Sequence, residues 1–167
     1  MRNLHYNLFY SVIQPQLVPD NLYDNVYKLW EEKQPYKRYT TNYNIELLDN
    51  ENKLGKLYDF FIDNVKDIYK KDVIEKRKYW ACIYDENFNS AVWHSHEKTC
   101  DINGVYYLTN GCEIHLKDID NNIIQHRPKQ YELIIFPNWV SHIPIYHNET
   151  RMSINVECHF DHEKKNL

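Results

Sequence analysis

The sequence predicts an α+β domain that is mostly β, a jelly roll or sandwich with two N-terminal helices packed on one sheet. Three observations support this prediction. Two amphipathic helical patterns precede residue 77, about eight short β-rich segments follow it, and turn-forming residues separate those segments. Because 167 residues suit a single domain, we expect one domain over 1–167, with helical support over about 1–76 and a jelly-roll core over about 77–160.

The N-terminal part contains the two predicted helices and two short strands. Residues 8–13 and 43–48 are rich in strand-forming side chains. Asp20 is a suitable N-cap for the first helix. The apolar stripe of the first helix consists of Leu22, Val26 and Trp30, and that of the second helix of Leu54, Leu57, Tyr58, Phe61, Val65, Ile68 and Tyr69. We interpret both stripes as faces that pack on the core.

From about residue 77 the pattern changes to short runs rich in Tyr, Val, Ile and Trp. The predicted strands are 78–84, 91–96, 104–109, 112–117, 123–126, 131–136, 141–146 and 151–158. Asn110-Gly111 lies between two apolar runs and predicts a tight hairpin. Since the chain has only 3 glycines, we expect Asn- and Asp-rich turns to close most of the sheet.

Composition and charge exclude several classes of protein. Lys+Arg 20 against Asp+Glu 24 gives a net charge of −4, which argues against a nucleic-acid partner. The chain lacks a run of about 18 apolar residues, so we expect no membrane span, and its first residues do not resemble a secretory signal. The scattered cysteines contain no C-x-x-C pair, which favours reduced thiols in a cytoplasmic protein.

The histidines are concentrated in the second half, because all but His5 of the 9 lie at or beyond position 94. His94 and His96 are two residues apart in a predicted strand, so alternation places them on one face. His142 follows another predicted strand and could reach the same point. Three neutral imidazoles could hold a metal ion and leave its other positions open. H-x-H alone is a weak signal, and solvated or packed histidines are the alternative.

Arg151 follows the last of these histidines by nine residues, and Ser153 lies on the same face of the predicted strand. A guanidinium inside a barrel is costly unless an anion meets it, and its planar donors suit a carboxylate. A metal beside a buried arginine therefore indicates a carboxylate-bearing co-substrate that chelates the metal. Alternatively, Arg151 pairs with Glu113, Glu132 or Glu157, or points outward.

Together, the order and spacing of these motifs resemble those of the Fe(II)/2-oxoglutarate-dependent dioxygenases, especially the small prolyl-hydroxylase-like branch. The resemblance covers about residues 79–156, roughly half of the chain. The matching residues, in chain order, are Tyr84, His94-Ser95-His96, Tyr106-Tyr107-Leu108-Thr109, Gly111-Cys112-Glu113, Phe136-Pro137, His142 and Arg151-Met152-Ser153. The resemblance implies a double-stranded β-helix, the jelly roll of that family.

The resemblance also implies cofactors and roles. His94 and His142 would bind Fe(II), and 2-oxoglutarate would chelate the iron. The residues that would bind or line the co-substrate are Arg151, Tyr106, Ser153 and Tyr84. The implied reaction consumes O2, converts 2-oxoglutarate to succinate and CO2, and hydroxylates an unactivated C–H bond.

The chain departs from the family at His96, where Asp or Glu is expected. An imidazole, unlike a carboxylate, neutralises none of the iron charge. His96 is a third ligand, or it supports the site while Glu97 or Asp101 binds the metal, or a halide or water takes the position. We favour His96 as a ligand, and the departure leaves an oxidative outcome other than hydroxylation open.

Two other functions remain open. The first is a three-histidine metal cupin that acts as a dioxygenase or isomerase without 2-oxoglutarate. The segment from Pro137 to His142 resembles the cupin Pro-x-Gly-x-x-His motif, but Trp139 stands where glycine is expected, and Arg151 has no role there. The second is a non-catalytic jelly-roll binding module. A small-molecule or peptide substrate is expected, with a prolyl or amino-acid side chain as the leading candidate, in a monomer or homodimer.

Overall fold

The computed structural model describes residues 3–5, 8–37, 43–47, 53–75, 77–85, 92–110, 113–145 and 149–162. The helices in these ranges are α1 (Leu22–Lys37) and α2 (Gly55–Tyr69). The strands are β1 (Asn3–His5), β2 (Phe9–Ile13), β3 (Tyr43–Leu47), β4 (Val73–Ile74), β5 (Tyr79–Tyr84), β6 (Ile102–Tyr107), β7 (Glu113–Lys117), β8 (Ile123–His126), β9 (Glu132–Pro137), β10 (Ser141–Ile145) and β11 (Arg151–Phe160). None of the described helices is long and apolar enough to cross a bilayer.

The strands form two antiparallel sheets. The main sheet has the order β1-β2-β9-β6-β11-β5-β3, with β4 paired to β11, and the minor sheet has the order β10-β7-β8. A bridge between His94 and His142 adds the segment around residue 94 to the minor sheet. From β5 onward the chain passes back and forth between the two sheets, with β7 and β8 forming one hairpin within the minor sheet. This is the topology of a double-stranded β-helix. The predicted fold class is confirmed.

The main sheet is buried on both faces. Its outer face packs on α1 and α2, whose apolar stripes form one core cluster with alternate residues of the central strands. Gly104 of β6 allows α2 to approach closely, because a Cβ there would lie 2.8 Å from the Phe61 ring and from Val156. A larger residue at position 104 would push the helix away from the sheet.

The inner face of the main sheet packs on the minor sheet at one end and lines a cavity at the other. The apolar cluster between the sheets consists of Leu8, Phe9, Val105, Tyr107, Ile114, Leu116, Ile134, Phe136 and Val140. This cluster packs the two sheets against each other beside the cavity.

The sequence predicts most of the strands to within two residues at each end, β8 among them. It also predicts both helices, although the stripe that indicates α1 ends at Trp30 and the helix continues to Lys37. The prediction of a strand over 91–96 is wrong in extent, because the described part of this segment makes only the single bridge at His94. Two short strands, β1 and β4, are not predicted, since each is too short to show a hydrophobic pattern. The Gly111 end of the predicted hairpin lies outside the described residues.

Candidate active site

A cavity of about 630 Å³ opens between the two sheets. One wall is β11, whose alternate residues point inward because side chains alternate across a strand. The inward residues of β11 are Arg151, Ser153, Asn155 and Glu157. Neighbouring strands complete the wall, since Arg151 is paired with Tyr84 of β5 and Ser153 with Tyr107 of β6. The polar residues of the cavity are thus fixed by the backbone of the main sheet.

The three predicted histidines converge at the opposite side of the cavity. One ring nitrogen from each of His94, His96 and His142 lies within 4.8 Å of the others. The ring centroids of His94 and His142 are 4.2 Å apart, and those of His96 and His142 are 5.2 Å apart. Backbone hydrogen bonds in both directions between His94 and His142, at 3.1 and 2.9 Å, hold the two segments together.

The Nδ1 atom of each of these histidines has a hydrogen-bond acceptor. His94 and His142 each point Nδ1 at the carbonyl oxygen two residues earlier, at 3.0 and 3.2 Å. His96 points Nδ1 at Oε1 of Glu157, at 3.0 Å. Because these oxygens can only accept, each Nδ1 carries the proton, and each Nε2 is left with a lone pair. This is the tautomer that binds a metal through Nε2.

The environment also keeps two of these rings neutral. Burial holds the pKa of His142 well below 6.5, and the neighbouring His94 and His96 lower it further. Partial burial lowers the pKa of His94 in the same direction, against the hydrogen bond to Val92. A neutral imidazole is the form that ligates metals. The donor set therefore fits a divalent cation that accepts nitrogen ligands and retains open positions.

Arg151 is buried in the cavity wall, with 4% of its surface exposed. Its Nη2 donates to the Tyr107 hydroxyl at 3.2 Å, and its guanidinium lies 4.9 Å from the ring centroid of Tyr84 and 5.0 Å from that of Tyr107. Its Nε and the Ser153 hydroxyl are both buried without a partner among the described residues. Two unpaired donors beside a buried cation form a site that fits a carboxylate.

Arg151 has no carboxylate partner among the described residues. The glutamates that could have paired with it instead pair elsewhere: Glu113 with Arg127, Glu132 with His126 and Glu157 with His96. Burial opposes the charge of Arg151, but Tyr107 and Tyr84 outweigh that effect and raise its pKa. The guanidinium is therefore a permanent cation with no counterion from these residues.

Glu157 lies next to the histidine cluster and is almost fully buried. Its Oε1 accepts hydrogen bonds from His96 and from the Thr99 hydroxyl, the latter at 2.9 Å. Burial alone would raise the pKa of Glu157, but these two hydrogen bonds hold it below its usual value. A carboxylate is thus present beside the cluster, although it reaches His96 and does not take a place among the three imidazoles.

The structure changes one predicted residue of the co-substrate site. Tyr106 points to the outer face of the main sheet, where its hydroxyl donates to the carbonyl oxygen of Gln14 at 2.9 Å. The adjacent Tyr107 points inward and contacts Arg151. The prediction of Tyr106 is wrong because the strand places the second tyrosine, and not the first, on the same face as Val105. Ser153 and Tyr84 line the cavity with Arg151.

Neither Glu97 nor Asp101, the two alternatives to His96 as a ligand, joins the histidines. Glu97 is exposed. Asp101 accepts a hydrogen bond from the backbone amide of Phe160 and lies beside His159 and His162. Sequence reasoning therefore missed Glu157 as the carboxylate of this site. Its signal was the even spacing of Arg151, Ser153 and Glu157 along one strand, which puts all three on one face.

Comparison with known proteins finds similar folds but no similar sequence. No family model matches the sequence, and no curated protein matches it. The carbocyclase SnoK from nogalamycin biosynthesis, described as non-heme and α-ketoglutarate dependent, has a similar structure, with a TM-score of 0.67, 7% identity, and coverage of 93% of this chain and 80% of SnoK.

Two further solved structures are similar. A prolyl hydroxylase from Trichoplax adhaerens, in complex with a peptide fragment of the hypoxia inducible factor oxygen degradation domain, has a TM-score of 0.60 at 13% identity, covering 95% of this chain and 86% of its own. HygX from Streptomyces hygroscopicus, with nickel and 2-oxoglutarate bound, has a TM-score of 0.59 at 7% identity, covering 89% and 81%. The fold of this chain is the fold of these proteins.

Proposed function

We propose that this chain is an Fe(II)- and 2-oxoglutarate-dependent oxygenase that hydroxylates an unactivated C–H bond. The observation that carries the proposal is the pairing of two features in one cavity. Three convergent histidines, whose Nδ1 atoms are already hydrogen-bonded, lie on one side, and a buried arginine without a carboxylate partner among the described residues lies on another. The first fits a metal and the second fits an anion, so a chelating dicarboxylate satisfies both.

The metal would be held by the Nε2 atoms of His94, His96 and His142. When bound, iron and 2-oxoglutarate supply the activation of O2, coupled to release of succinate and CO2. The chain contributes orientation: backbone carbonyls fix the rings of His94 and His142, and Glu157 fixes that of His96. Fixed rings cost no reorganisation when the metal binds, and they keep its remaining positions open.

The distal carboxylate of 2-oxoglutarate would bind to Arg151, Ser153 and Tyr107. These residues belong to adjacent strands, β11 and β6, with Ser153 directly opposite Tyr107 in the register. The carboxylate would accept hydrogen bonds from the Arg151 Nε and the Ser153 hydroxyl, both of which lack a partner among the described residues. The Tyr84 ring packs on the guanidinium and limits the directions from which an anion can approach it.

We place the substrate among small molecules and peptides, with a prolyl or other amino-acid side chain as the first to test. The support is that prolyl hydroxylases are among the structures with this fold. We also place the reaction in the cytoplasm. Among the described residues, Cys82, Cys100 and Cys158 are buried cysteines that form no disulfide, which suits a reducing compartment.

The three-histidine set also favours a second candidate, a metal cupin that does not use 2-oxoglutarate. Arg151 distinguishes the two candidates. In a cupin of that kind a buried cation without a counterion only costs stability, whereas in the proposed oxygenase it binds the co-substrate.

The test is anaerobic addition of Fe(II) and then 2-oxoglutarate to the metal-free protein. We expect a weak visible charge-transfer band that needs both additions, and succinate formation on exposure to air.

His142→Ala should abolish both signals, because it removes a buried ligand. His115→Ala is the matched control, since His115 pairs with Glu113 outside the cluster, and it should retain them. A wild-type protein that gives no band and no succinate rules out the proposal; a bound metal without the band favours the cupin.

A further inference from the structure

We propose that Glu157 is a positioning residue of the metal site, and that it supplies through His96 the negative charge that a carboxylate ligand would supply directly. The inference rests on the proposed function, because it requires His96 to hold the metal. It goes beyond that function by giving Glu157, which touches neither the metal nor the co-substrate in that proposal, an electrostatic role in addition to holding the ring of His96.

The contact between Glu157 and His96 is short and protected. Oε1 of Glu157 lies 3.0 Å from Nδ1 of His96, and the side chains are only 10% and 15% exposed. A hydrogen bond from Nδ1 to a carboxylate leaves Nε2 as the metal-binding atom and makes it a stronger donor. The low exposure protects this charged hydrogen bond from competition with water.

The three histidines differ in a way that singles out His96. His94 and His142 use neutral backbone carbonyls as their Nδ1 acceptors, whereas His96 uses a charged side chain. His96 is also the residue that stands where the resembling family has a carboxylate ligand. The negatively charged Glu157 therefore contacts His96, the one of the three histidines that replaces a negatively charged ligand of that family.

Glu157 is itself held in place. The Thr99 hydroxyl donates to the same Oε1 at 2.9 Å, and Thr99 also caps the turn after His96 through the His96 carbonyl. Glu157 sits on β11, in register with Asn103 of β6. The same strand carries Arg151 six residues earlier, so β11 fixes both the support for the metal ligand and the anion-binding arginine.

A carboxylate that is hydrogen-bonded to a metal ligand should raise the affinity of the site for the metal. Three neutral imidazoles leave the full charge of a divalent metal uncompensated, and a buried negative charge nearby stabilises it. Loss of such an outer carboxylate typically costs about 10- to 100-fold in metal affinity. We expect an effect of that size for Glu157, and an effect on the metal without a direct effect on the co-substrate carboxylate.

One rival placement of a metal is also available. His96, Cys100 and Glu157 offer ligand atoms within 4.8 Å of one another. In that arrangement Glu157 would be a ligand, and His94 and His142 would not be needed. The two placements make opposite predictions for variants at Cys100 and His142, so one experiment distinguishes them.

The experiment is anaerobic titration of the metal-free protein with Co(II), followed by optical absorption, for the wild type and six variants, two of which are His142→Ala and Cys100→Ser. Glu157→Gln should weaken Co(II) binding about 10- to 100-fold, and Glu157→Asp, which keeps the charge, should recover part of that loss. Thr99→Val should weaken binding by less than Glu157→Gln. Glu132→Gln is the matched control, because Glu132 forms another Glu–His pair of low exposure, with His126 at 2.7 Å. This variant should bind Co(II) as the wild type does.

A second readout separates positioning from a general loss of structure. In the proton NMR spectrum of the Co(II) protein, each ligating imidazole should give one shifted, exchangeable Nδ1–H signal. We expect Glu157→Gln to alter the His96 signal and leave the other two in place. A misfolded variant would lose all three.

The outcomes distinguish this inference from the proposed function. If Glu157→Gln binds Co(II) as tightly as the wild type while His142→Ala does not bind it, the role of Glu157 is wrong and the proposed metal site stands. If Cys100→Ser removes a thiolate-to-cobalt band and His142→Ala has no effect, the metal occupies the rival placement and both proposals fail. If the wild type binds no Co(II), both fail as well.

Discussion

The two faces of β11 carry side chains of opposite character. The residues that face the helices are apolar and buried: Met152, Ile154, Val156 and Cys158. The residues that face the cavity are polar and equally buried: Arg151, Ser153, Asn155 and Glu157. One strand thus joins the main core to the candidate site, with the two tasks separated by the alternation of side chains. Substitutions on one face should change stability, and those on the other should change ligand binding.

The largest expected effect tests the cavity face. Arg151→Leu should weaken 2-oxoglutarate binding by about 100- to 4,000-fold, since breaking a buried ion pair costs about 3–5 kcal/mol. The free energy of unfolding of the ligand-free protein should not fall, because leucine replaces a buried cation that lacks a counterion among the described residues. Calorimetric titration of the Fe(II)-loaded protein and chemical denaturation measure the two quantities.

The control for this variant is Arg127→Leu. Arg127 is 66% exposed and pairs with Glu113 at 2.6 Å, away from the cavity. Arg127→Leu should leave 2-oxoglutarate binding unchanged. Equal loss of 2-oxoglutarate binding in both variants would show that Arg151 acts through the net charge of the protein. Ligand binding could then no longer be assigned to the cavity face of β11.

The next effect tests the helix face. Ile154→Ala removes a fully buried side chain and should lower the free energy of unfolding by about 2–5 kcal/mol. Below the unfolding transition, the folded protein should bind 2-oxoglutarate with wild-type affinity. Chemical denaturation and titration at low temperature measure both. A binding defect as large as that of Arg151→Leu would mean that the two faces are coupled.

The fold was predictable because its elements have strong local patterns. The stripe of α2 and the alternation along β11 follow directly from burial on one face or on alternate faces. The convergence of His94, His96 and His142 was also predictable, because strand order in a jelly roll brings the two histidine segments together. The sequence did not show that the segment around His94 makes only one β-bridge, from His94 to His142, instead of forming a full strand.

The details that the sequence left open depend on contacts between distant residues. A pair of adjacent tyrosines gives no signal for which one faces inward, and the choice is made by Gly104, whose missing side chain admits Phe61 on the helix face. Tyr106 has the same parity as Gly104 and therefore faces the helices. Glu157 was weighed only as a partner of Arg151, because a pairing with His96 across 61 residues of sequence has no local pattern.

The smallest expected effect is the sharpest test of the comparison, because it uses two adjacent residues that each lose one hydroxyl. Tyr107→Phe removes the acceptor of the Arg151 hydrogen bond and should weaken 2-oxoglutarate binding about 2- to 10-fold, the value of one hydrogen bond. Tyr106→Phe removes the hydrogen bond to Gln14 and should lower the free energy of unfolding by about 0.5–1.5 kcal/mol while leaving binding unchanged. Titration and denaturation of both variants should give this crossed pattern. The reverse pattern would show that Tyr106 serves the co-substrate and that the assignment of the two faces of β6 is wrong.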